Sequence, residues 1–333
     1  MTGPTVPHPG HLHPGYTTAA RVVRVAEIRS LTADIKHFRL VAPDGASVLT
    51  PYQPGSHLIV SAGGHRNAYS LIGDGMLPTA YGISVLRRGA GGGSDWLHDN
   101  VSAGDLVDIE GPRSMFAPIL DQRRALLVAG GIGVTPVLSH ARAIARSGGL
   151  ADIVYSYRPG CGAHVEELRD LARRPGITLH EVHGSSDTAA LLARRFRCQP
   201  LGTHAYACGP AGLLEAYQRA AAEAGWPTAR VHSERFTAPE LDAGDPFTVA
   251  LASTGARIEV PAGVSLLQRL LDHGVAVPNL CRQGVCGECR IPVRSGDVIH
   301  RDFVLTDDEK AAGDAMLCCC LLYTSPSPRD RTR

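Results

Sequence analysis

The feature that most constrains this chain is a cluster of cysteines near its C-terminal end. Six of the nine cysteines in the 333-residue sequence lie between Cys281 and Cys320. A chain of this length does not need disulfides to hold its core, and nine is an odd number, so a disulfide framework is not expected. Clustered thiols instead indicate metal or cluster ligands in a reducing compartment, and we expect a cytoplasmic protein.

The spacing within the cluster narrows this prediction. Cys281, Cys286 and Cys289 follow the pattern C-x4-C-x2-C. This is the spacing of plant-type 2Fe–2S ligation, which a distant fourth cysteine completes. Two glycines inside the loop let the backbone wrap closely and aim N–H groups at the sulfurs. The residues alone leave the fourth ligand open among Cys318, Cys319 and Cys320. Zinc is the alternative, but zinc sites favour paired C-x2-C knuckles.

Composition excludes several classes of protein. Hydrophobic residues make up 44% of the chain, which excludes disorder as its main state. The net charge is +1 without a basic stripe, so a nucleic-acid partner is not expected. The longest apolar stretch, 125–138, contains three glycines, a threonine and a proline, and it is too short to span a bilayer. The length itself predicts two or three domains.

The pattern of short hydrophobic runs changes twice along the chain. Six β-like runs separated by turn residues predict an antiparallel barrel, and strand–helix alternation then predicts a parallel sheet covered by helices. A hairpin, a helix and the cysteine cluster follow. The predicted segments are a flexible lead (1–16), the barrel (17–119), the α/β domain (120–238), a linker (239–245), the cysteine domain (246–322) and a disordered or non-native tail (323–333).

A glycine-rich turn follows the first strand of the α/β domain. It reads Gly130-Gly-Ile-Gly133-Val-Thr-Pro136. Thr135 can serve as a helix N-cap and Pro136 as the first helical residue. The glycines would let a pyrophosphate approach the N–H groups at the helix start. The plainer alternative is an ordinary strand–helix turn.

Four further segments are candidates with ordinary structural alternatives. The first, at 66–71, reads as an aromatic strand. The second, at 87–97, is a glycine-rich turn before a helix start, either an anion cradle or a flexible hairpin tip. The third is Cys208-Gly209-Pro210 after a strand, where a buried structural cysteine is the alternative. The fourth is Glu234-Arg-Phe236, whose aromatic ring is equally expected in core packing.

In their order, these features resemble the phthalate dioxygenase reductase family over roughly residues 17–320. The resemblance implies three domains in succession: an antiparallel flavin-binding β-barrel, a parallel-sheet nucleotide-binding domain and a C-terminal ferredoxin-like β-grasp domain. The family's fourth cysteine follows a Met-Leu-x element, which selects Cys319, with 29 residues between it and Cys289. The sequence departs from the family pattern directly after Cys320.

The resemblance also implies roles for the candidate residues. Tyr69 would flank the flavin ring and Ser70 would hydrogen-bond near its N5, while Arg66 would meet the flavin phosphate, although one extra residue separates it from the tyrosine. Ser70 and Cys208 are the predicted catalytic residues. The other predicted cofactor contacts are Gly91, Gly92, Gly93 and Ser94 at the flavin phosphate, Gly130, Gly131, Gly133, Thr135 and Pro136 at the nucleotide pyrophosphate, Cys208, Gly209 and Pro210 beside the nicotinamide, and Phe236 near the flavin.

The implied function is that of a reductase component of a multicomponent oxygenase or demethylase. Electrons would pass from NADH to FMN, then to the 2Fe–2S cluster, then to a terminal oxygenase of the Rieske type. Docking would be transient and the chain monomeric, without a nucleic acid or a membrane as partner. Two alternatives stay open: an electron-carrier ferredoxin module on an inactive scaffold, and a flavin reductase that lacks a stable cluster.

Overall fold

The computed structural model describes residues 21–89, 91–237 and 243–320. The predicted lead (1–16), the predicted tail (323–333) and part of the predicted linker (239–245) lie outside the described residues. Within these described ranges, no helix is both long and apolar enough to cross a membrane.

The N-terminal part is an antiparallel barrel. Its strand order is β4-β3-β6-β1-β2-β5, and a bridge between Leu71 and Ile83 connects the two edge strands. Alternating side chains fill the barrel interior, which confirms the predicted barrel. The elements are β1 (Arg21–Ser30), β2 (Ile35–Val41), β3 (Ser56–Ala62), β4 (His65–Ser70), β5 (Tyr81–Leu86), α1 (Gly93–Asn100) and β6 (Leu106–Ser114).

The middle part is a five-stranded parallel sheet in the order β11-β10-β7-β8-β9. Strand β7 is buried along nearly its whole length, as an apolar run in a parallel sheet requires. This confirms the predicted strand–helix alternation. The elements are β7 (Arg124–Gly130), α2 (Val134–Ser147), β8 (Ala151–Ser156), α3 (Val165–Ala172), β9 (Ile177–Val182), α4 (Ser185–Arg197), β10 (Thr203–Cys208), α5 (Ala211–Glu223) and β11 (Val231–Glu234).

The C-terminal part packs two small antiparallel sheets and two helices around a core that includes four of the six clustered cysteines. A capping box between Thr306 and Glu309 begins α7, a helix that the sequence pattern did not predict. The elements are β12 (Phe247–Ala250), β13 (Arg257–Val260), α6 (Leu266–Asp272), β14 (Arg290–Pro292), α7 (Asp307–Ala312) and β15 (Ala315–Leu317).

The start of α2 corrects one prediction. Thr135 is not the N-cap, because a 3-10 turn at Gly131–Gly133 carries helical geometry up to Val134, where the helix begins. The Thr135 hydroxyl instead donates a hydrogen bond to the Ile132 carbonyl at 3.0 Å. Pro136 is therefore the third residue of the helix and not the first.

Candidate functional site

One cavity of about 600 Å³ is shared by all three parts of the chain. Its volume falls in the range of about 300–1,000 Å³ that is usual for cofactor sites. Five separate stretches of sequence that meet there contain residues that the sequence analysis singled out. The candidates that line it are Arg66, Tyr69, Ser70, Gly92, Gly93, Ser94, Thr135, Phe236, Cys281 and Cys286.

Strand β4 forms the barrel wall of the cavity. Tyr69 is half-buried, and its hydroxyl accepts a hydrogen bond from the Asn67 side chain at 3.3 Å. These two residues share a face because side chains two apart on a strand point the same way. Burial raises the pKa of Tyr69, so the phenol stays protonated. A ring lying on this wall would contact a neutral aromatic side chain and the buried Ser70.

The extra residue before Tyr69 changes what Arg66 does. Arg66 and Tyr69 are three positions apart along β4, so their side chains point to opposite faces of the strand. The Arg66 guanidinium donates to the Glu110 carboxylate at 2.7–2.9 Å and to the Asn279 carbonyl at 3.2 Å. Arg66 thus joins the barrel to the segment just before the cysteine loop, while Asn67 occupies the face that the prediction gave to an arginine.

The glycine-rich turn before α1 forms one end of the cavity. A Cβ on Gly93 would lie 2.5 Å from the Asn67 amide nitrogen, so β4 and the helix start pack too closely for any side chain. The N–H of Gly91 donates to Asp95 at 2.7 Å and is turned away from the cavity. Arg88 lines the cavity, and its guanidinium makes neither a hydrogen bond nor an ion pair within the described ranges.

Sequence reasoning missed Asn67 and Arg88. The two-residue period of a strand was the signal for Asn67, because it shares the face of Tyr69. No comparable signal marked Arg88, since its neighbour Arg87 pairs with Asp99 and the sequence does not distinguish the two arginines.

The nucleotide-binding end of the parallel sheet lies where the strand order reverses. Strand β7 is followed by β8 on one side and has β10 on the other, and ligands of open α/β sheets bind at such a switch point. A Cβ on Gly133 would lie 2.2 Å from the Cys208 carbonyl oxygen, so this glycine serves the packing of the turn against β10. Gly131, with φ +51°, has open space beside it and is the glycine that a pyrophosphate can approach.

The same edge holds two ionisable groups, the buried Cys208 and the half-buried Glu234, whose Oε2 atom is buried. Cys208 is fully buried, and burial raises the pKa of its thiol. Its partner across β10 and β11 is Glu234, which lines the cavity. Burial raises the pKa of Glu234 to about 8, and its Oε2 atom has no hydrogen-bond partner within the described ranges. A protonated carboxyl group therefore lies at the cavity at neutral pH, a group to which the sequence analysis gave no role.

The cysteine loop brings four thiols together. The Cys319 thiol lies beside the thiols of Cys281, Cys289 and Cys320, whereas the Cys318 thiol lies beside that of Cys289 alone among the loop cysteines. Cys318 also donates to the carbonyl oxygen of Cys289 at 3.3 Å. This arrangement favours Cys319 over Cys318 as the fourth member of the set.

Backbone N–H groups point at the sulfurs of this set. The N–H of Gly284 donates to Cys319 Sγ at 3.1 Å, and that of Gln283 donates to Cys281 Sγ at 3.3 Å. No three His, Cys, Asp or Glu side chains in the described ranges surround a single metal position. A 2Fe–2S cluster takes two thiolates on each iron, so the donor set fits that group.

Ion pairs fasten the cysteine loop to the barrel. Arg113 on β6 pairs with Glu288 of the loop and, at 3.4 Å, with Glu110, which also holds Arg66. We call Arg66, Glu110, Arg113 and Glu288 the loop network. It places Cys281 and Cys286 at the wall of the cavity.

Comparison with family models assigns two parts of the chain. Residues 249–323 match the 2Fe-2S iron-sulfur cluster binding domain. Residues 112–231 match the dimethylamine monooxygenase subunit DmmA-like N-terminal domain.

Whole-chain relatives are reductase subunits. The chain is 42% identical to the heme-dependent oxidative N-demethylase beta subunit of Ectopseudomonas mendocina, over 87% of this chain and 92% of that protein. It is 37% identical to the phthalate dioxygenase reductase of Burkholderia cepacia, over 89% of this chain and 92% of that protein. Among solved structures, a phthalate dioxygenase reductase described as transferring electrons from pyridine nucleotides to 2Fe–2S is 33% identical, with a TM-score of 0.68 over 93% of this chain and 96% of that chain.

Proposed function

The chain belongs to the phthalate dioxygenase reductase-like family, and we propose that it passes electrons from NADH through FMN and a 2Fe–2S cluster to a terminal oxygenase. It is an NADH-dependent flavin and iron–sulfur oxidoreductase, the reductase component of an oxygenase or demethylase system. A flavin supplies the step between a two-electron hydride donor and a one-electron cluster. The protein supplies binding, orientation and the exclusion of water.

One observation carries this proposal: the shared cavity. Its walls hold the tyrosine face of β4, the edge of the parallel sheet where nucleotides bind, and the loop of Cys281 and Cys286. A donor, a relay and an acceptor of electrons can therefore lie in contact. The alternative of a ferredoxin module on an inactive scaffold does not explain why the barrel and the parallel sheet also open into this cavity.

We assign the residues as follows. Ser70 and Tyr69 hold the flavin ring, with Phe236 nearby, and Cys208-Gly209-Pro210 positions the nicotinamide. The turn from Gly130 to Pro136 receives the pyrophosphate, with Gly131 closest to it. The cluster ligands are Cys281, Cys286, Cys289 and Cys319. The corresponding domains are 17–119 for flavin, 120–238 for NADH and 246–322 for the cluster.

We assign the flavin phosphate to the end of the cavity at Gly92–Ser94. The backbone N–H groups there begin α1, and a helix N-terminus attracts anions. The Arg88 guanidinium has no ion-pair partner among the described residues, whereas Arg66 is already bound to Glu110. A phosphate that ends in this cradle favours FMN over FAD. Mass analysis of the flavin released by acid tests this choice, and FAD as the released species would overturn it.

The partner is a terminal oxygenase, and two kinds are candidates. The family resemblance favours a Rieske-type oxygenase that docks transiently on a monomeric, cytoplasmic reductase. The relative at 42% identity and the DmmA-like match favour a haem-dependent amine monooxygenase as the second candidate. Reconstitution of purified reductase with one oxygenase of each kind, with NADH consumption coupled to product as the readout, decides between them.

A visible spectrum under anaerobic conditions tests the whole proposal. Purified protein should show flavin and cluster bands, and NADH should bleach both. Flavin bleaching without cluster absorption would support the alternative of a flavin reductase without a stable cluster. A flavin that NADH does not bleach would overturn the reductase assignment.

A further inference from the structure

A chain of three hydrogen-bonding side chains connects the barrel with the parallel-sheet part. The Ser84 hydroxyl on β5 lies 2.8 Å from Nε2 of His164, and Nδ1 of His164 lies 2.8 Å from the Glu167 carboxylate on α3. The His164 side chain is fully buried. This is the order of groups in a serine–histidine–carboxylate arrangement, in which the histidine transfers protons.

The two ends of this relay lie in different surroundings. Ser84 lines the shared cavity, and β5 lies against the turn Gly131–Gly133 of the nucleotide site. Glu167 is 29% exposed and pairs with Arg142 and with Arg29, which is 57% exposed. The chain of contacts therefore runs from the cavity through a buried histidine to the protein surface.

The backbone at His164 supports a functional role for this arrangement. Its φ is +58°, in the left-handed region that residues with a side chain seldom adopt. Strain of this kind persists where the surroundings fix a side chain, and it clusters at functional sites.

The electron balance of the proposed function requires a path for a proton. Each NADH gives a hydride, and both electrons then leave for the cluster, so that NADH becomes NAD⁺, two electrons and one proton. That proton remains in the cavity, which the protein closes on several sides. It must reach solvent once in every turnover.

We propose that Ser84, His164 and Glu167 form the relay that carries this proton from the cavity to solvent. This inference rests on the proposed function. The Ser84 hydroxyl accepts the proton and passes its own to Nε2 of His164. His164 releases the Nδ1 proton along its hydrogen bond to Glu167, whose exposed side returns it to water.

The neighbouring charges are consistent with this direction. His37 lies 3.2 Å from Ser84 on the other side, and burial, then the proximity of His164, lowers the pKa of His37 to about 4. His37 therefore stays neutral. Burial opposes ionisation of Glu167, but its bonds to His164 and then its arginine neighbours lower the pKa of Glu167 to about 2. Arg29 and Arg142 are the charged side chains that pair with Glu167. They keep its carboxylate ionised, so that a proton that reaches it passes on to water.

The simpler alternative is that the same hydrogen bonds only fasten the barrel to the parallel sheet. His164→Gln separates the two roles, because glutamine keeps a donor and an acceptor but cannot carry a proton. The experiment follows wild-type and variant holoprotein after mixing with NADH without oxygen. A pH-indicator dye reports proton release, and flavin absorbance reports hydride transfer. The melting temperature shows whether the barrel is still held against the parallel sheet.

In His164→Gln we expect proton release to slow at least about tenfold, as general acid–base catalysis typically contributes this much or more. Hydride transfer and the melting temperature should stay near wild-type values. Imidazole added to His164→Ala should restore proton release. His180→Gln is the matched control, because His180 forms a similar 2.8 Å pair with Asp152 outside the cavity.

A second readout does not depend on turnover. The ¹⁵N NMR signals of the His164 ring in the oxidised holoprotein should shift in Ser84→Ala and remain unchanged in His180→Gln. Wild-type proton release in His164→Gln would overturn the relay while leaving the proposed function intact. Failure of NADH to bleach the wild-type flavin would instead overturn the proposed function itself.

Discussion

Two interfaces hold the cavity together, and they are built from different interactions. The barrel meets the cysteine loop through the loop network, whose side chains are 22–39% exposed. The barrel meets the parallel sheet through two surface ion pairs, Arg29–Glu167 and Arg146–Asp74, but also through buried groups that the other interface lacks. Ser139 donates to the Gly73 carbonyl at 2.6 Å, and His140 contacts the Phe116 carbonyl at 2.8 Å. Ser139 and His140 are at most 1% exposed.

The difference corresponds to two kinds of electron movement. Hydride transfer needs reacting atoms about 3–3.5 Å apart, so the wall between flavin and nicotinamide must be rigid. Passing single electrons to a cluster does not require bond-forming contact. The cysteine loop can therefore be held by ion pairs that solvent weakens, and such pairs leave it free to adjust when a partner docks.

The largest effect is expected when the cysteine loop loses its electron acceptor, the iron–sulfur cluster. Cys319→Ser should abolish the cluster absorption and all electron passage beyond the flavin, because the structure places this thiol with Cys281 and Cys289. Bleaching of the flavin by NADH should persist, since the buried interface is untouched.

Cys318→Ser is the matched control for that variant. It removes the neighbouring thiol, which contacts only Cys289 among the loop cysteines, and should retain the cluster bands. Loss of the cluster in Cys318→Ser together with its retention in Cys319→Ser would reverse the assignment.

The next effect disturbs the turn of the parallel sheet against which β5 of the barrel lies. Gly133→Ala places a methyl group 2.2 Å from the Cys208 carbonyl, and backbone must move to admit it. We expect a loss of stability of about 1–3 kcal/mol from overpacking, and a fall in the rate of flavin bleaching by NADH. Gly212→Ala in α5 meets no neighbouring atom and serves as the control in urea unfolding and rapid mixing. Equal behaviour of the two variants would mean that this close packing does not matter.

A smaller effect concerns the loop network. Arg113→Ala removes the pairs to Glu288 and Glu110, each exposed pair contributing about 0.2–1 kcal/mol. Electron passage from flavin to cluster should slow severalfold, and its dependence on salt should weaken, while hydride transfer stays unchanged. Stopped-flow traces at low and high ionic strength measure both steps. An equal salt dependence of the two steps in the wild-type protein would contradict the contrast between the interfaces. Arg257→Ala on the exposed hairpin is a suitable charge-matched control.

The sequence predicted the architecture because the relevant signals are local. The six β-like runs of the N-terminal part correspond to the six barrel strands, since turn residues flank each short run. The cluster spacing likewise lies within one loop. The N-cap was misplaced because Thr135 has the right chemistry, while the preceding 3-10 turn decided where helical geometry begins.

The site was less predictable because it is assembled from distant segments. Nothing local shows that Arg66 meets Asn279, 213 residues further on, or that Ser84 meets His164. The burial of Glu234 is of the same kind, since β11 alone reads as a short polar edge strand. These contacts depend on how the three parts pack against one another, and the order of residues along the chain does not show that packing.

The last prediction tests the parallel-sheet side of this comparison with pH in place of salt. Burial holds the pKa of Glu234 near 8 in the folded chain, against an ordinary value of 4.5 in the unfolded chain. The folded state therefore binds the proton more tightly, and stability falls as the pH rises from about 4.5 to about 8. Glu234→Gln keeps the shape of a neutral carboxyl group and should remove this part of the pH dependence, leaving the variant more stable than the wild type at pH 8.5. Urea unfolding from pH 5 to pH 8.5 at constant ionic strength measures the difference. Because the Glu234 Oε2 atom is shielded from solvent, added salt should leave this difference nearly unchanged. A difference that salt removes would place Glu234 among the solvent-screened charges, with the loop network, and not within the rigid wall of the cavity.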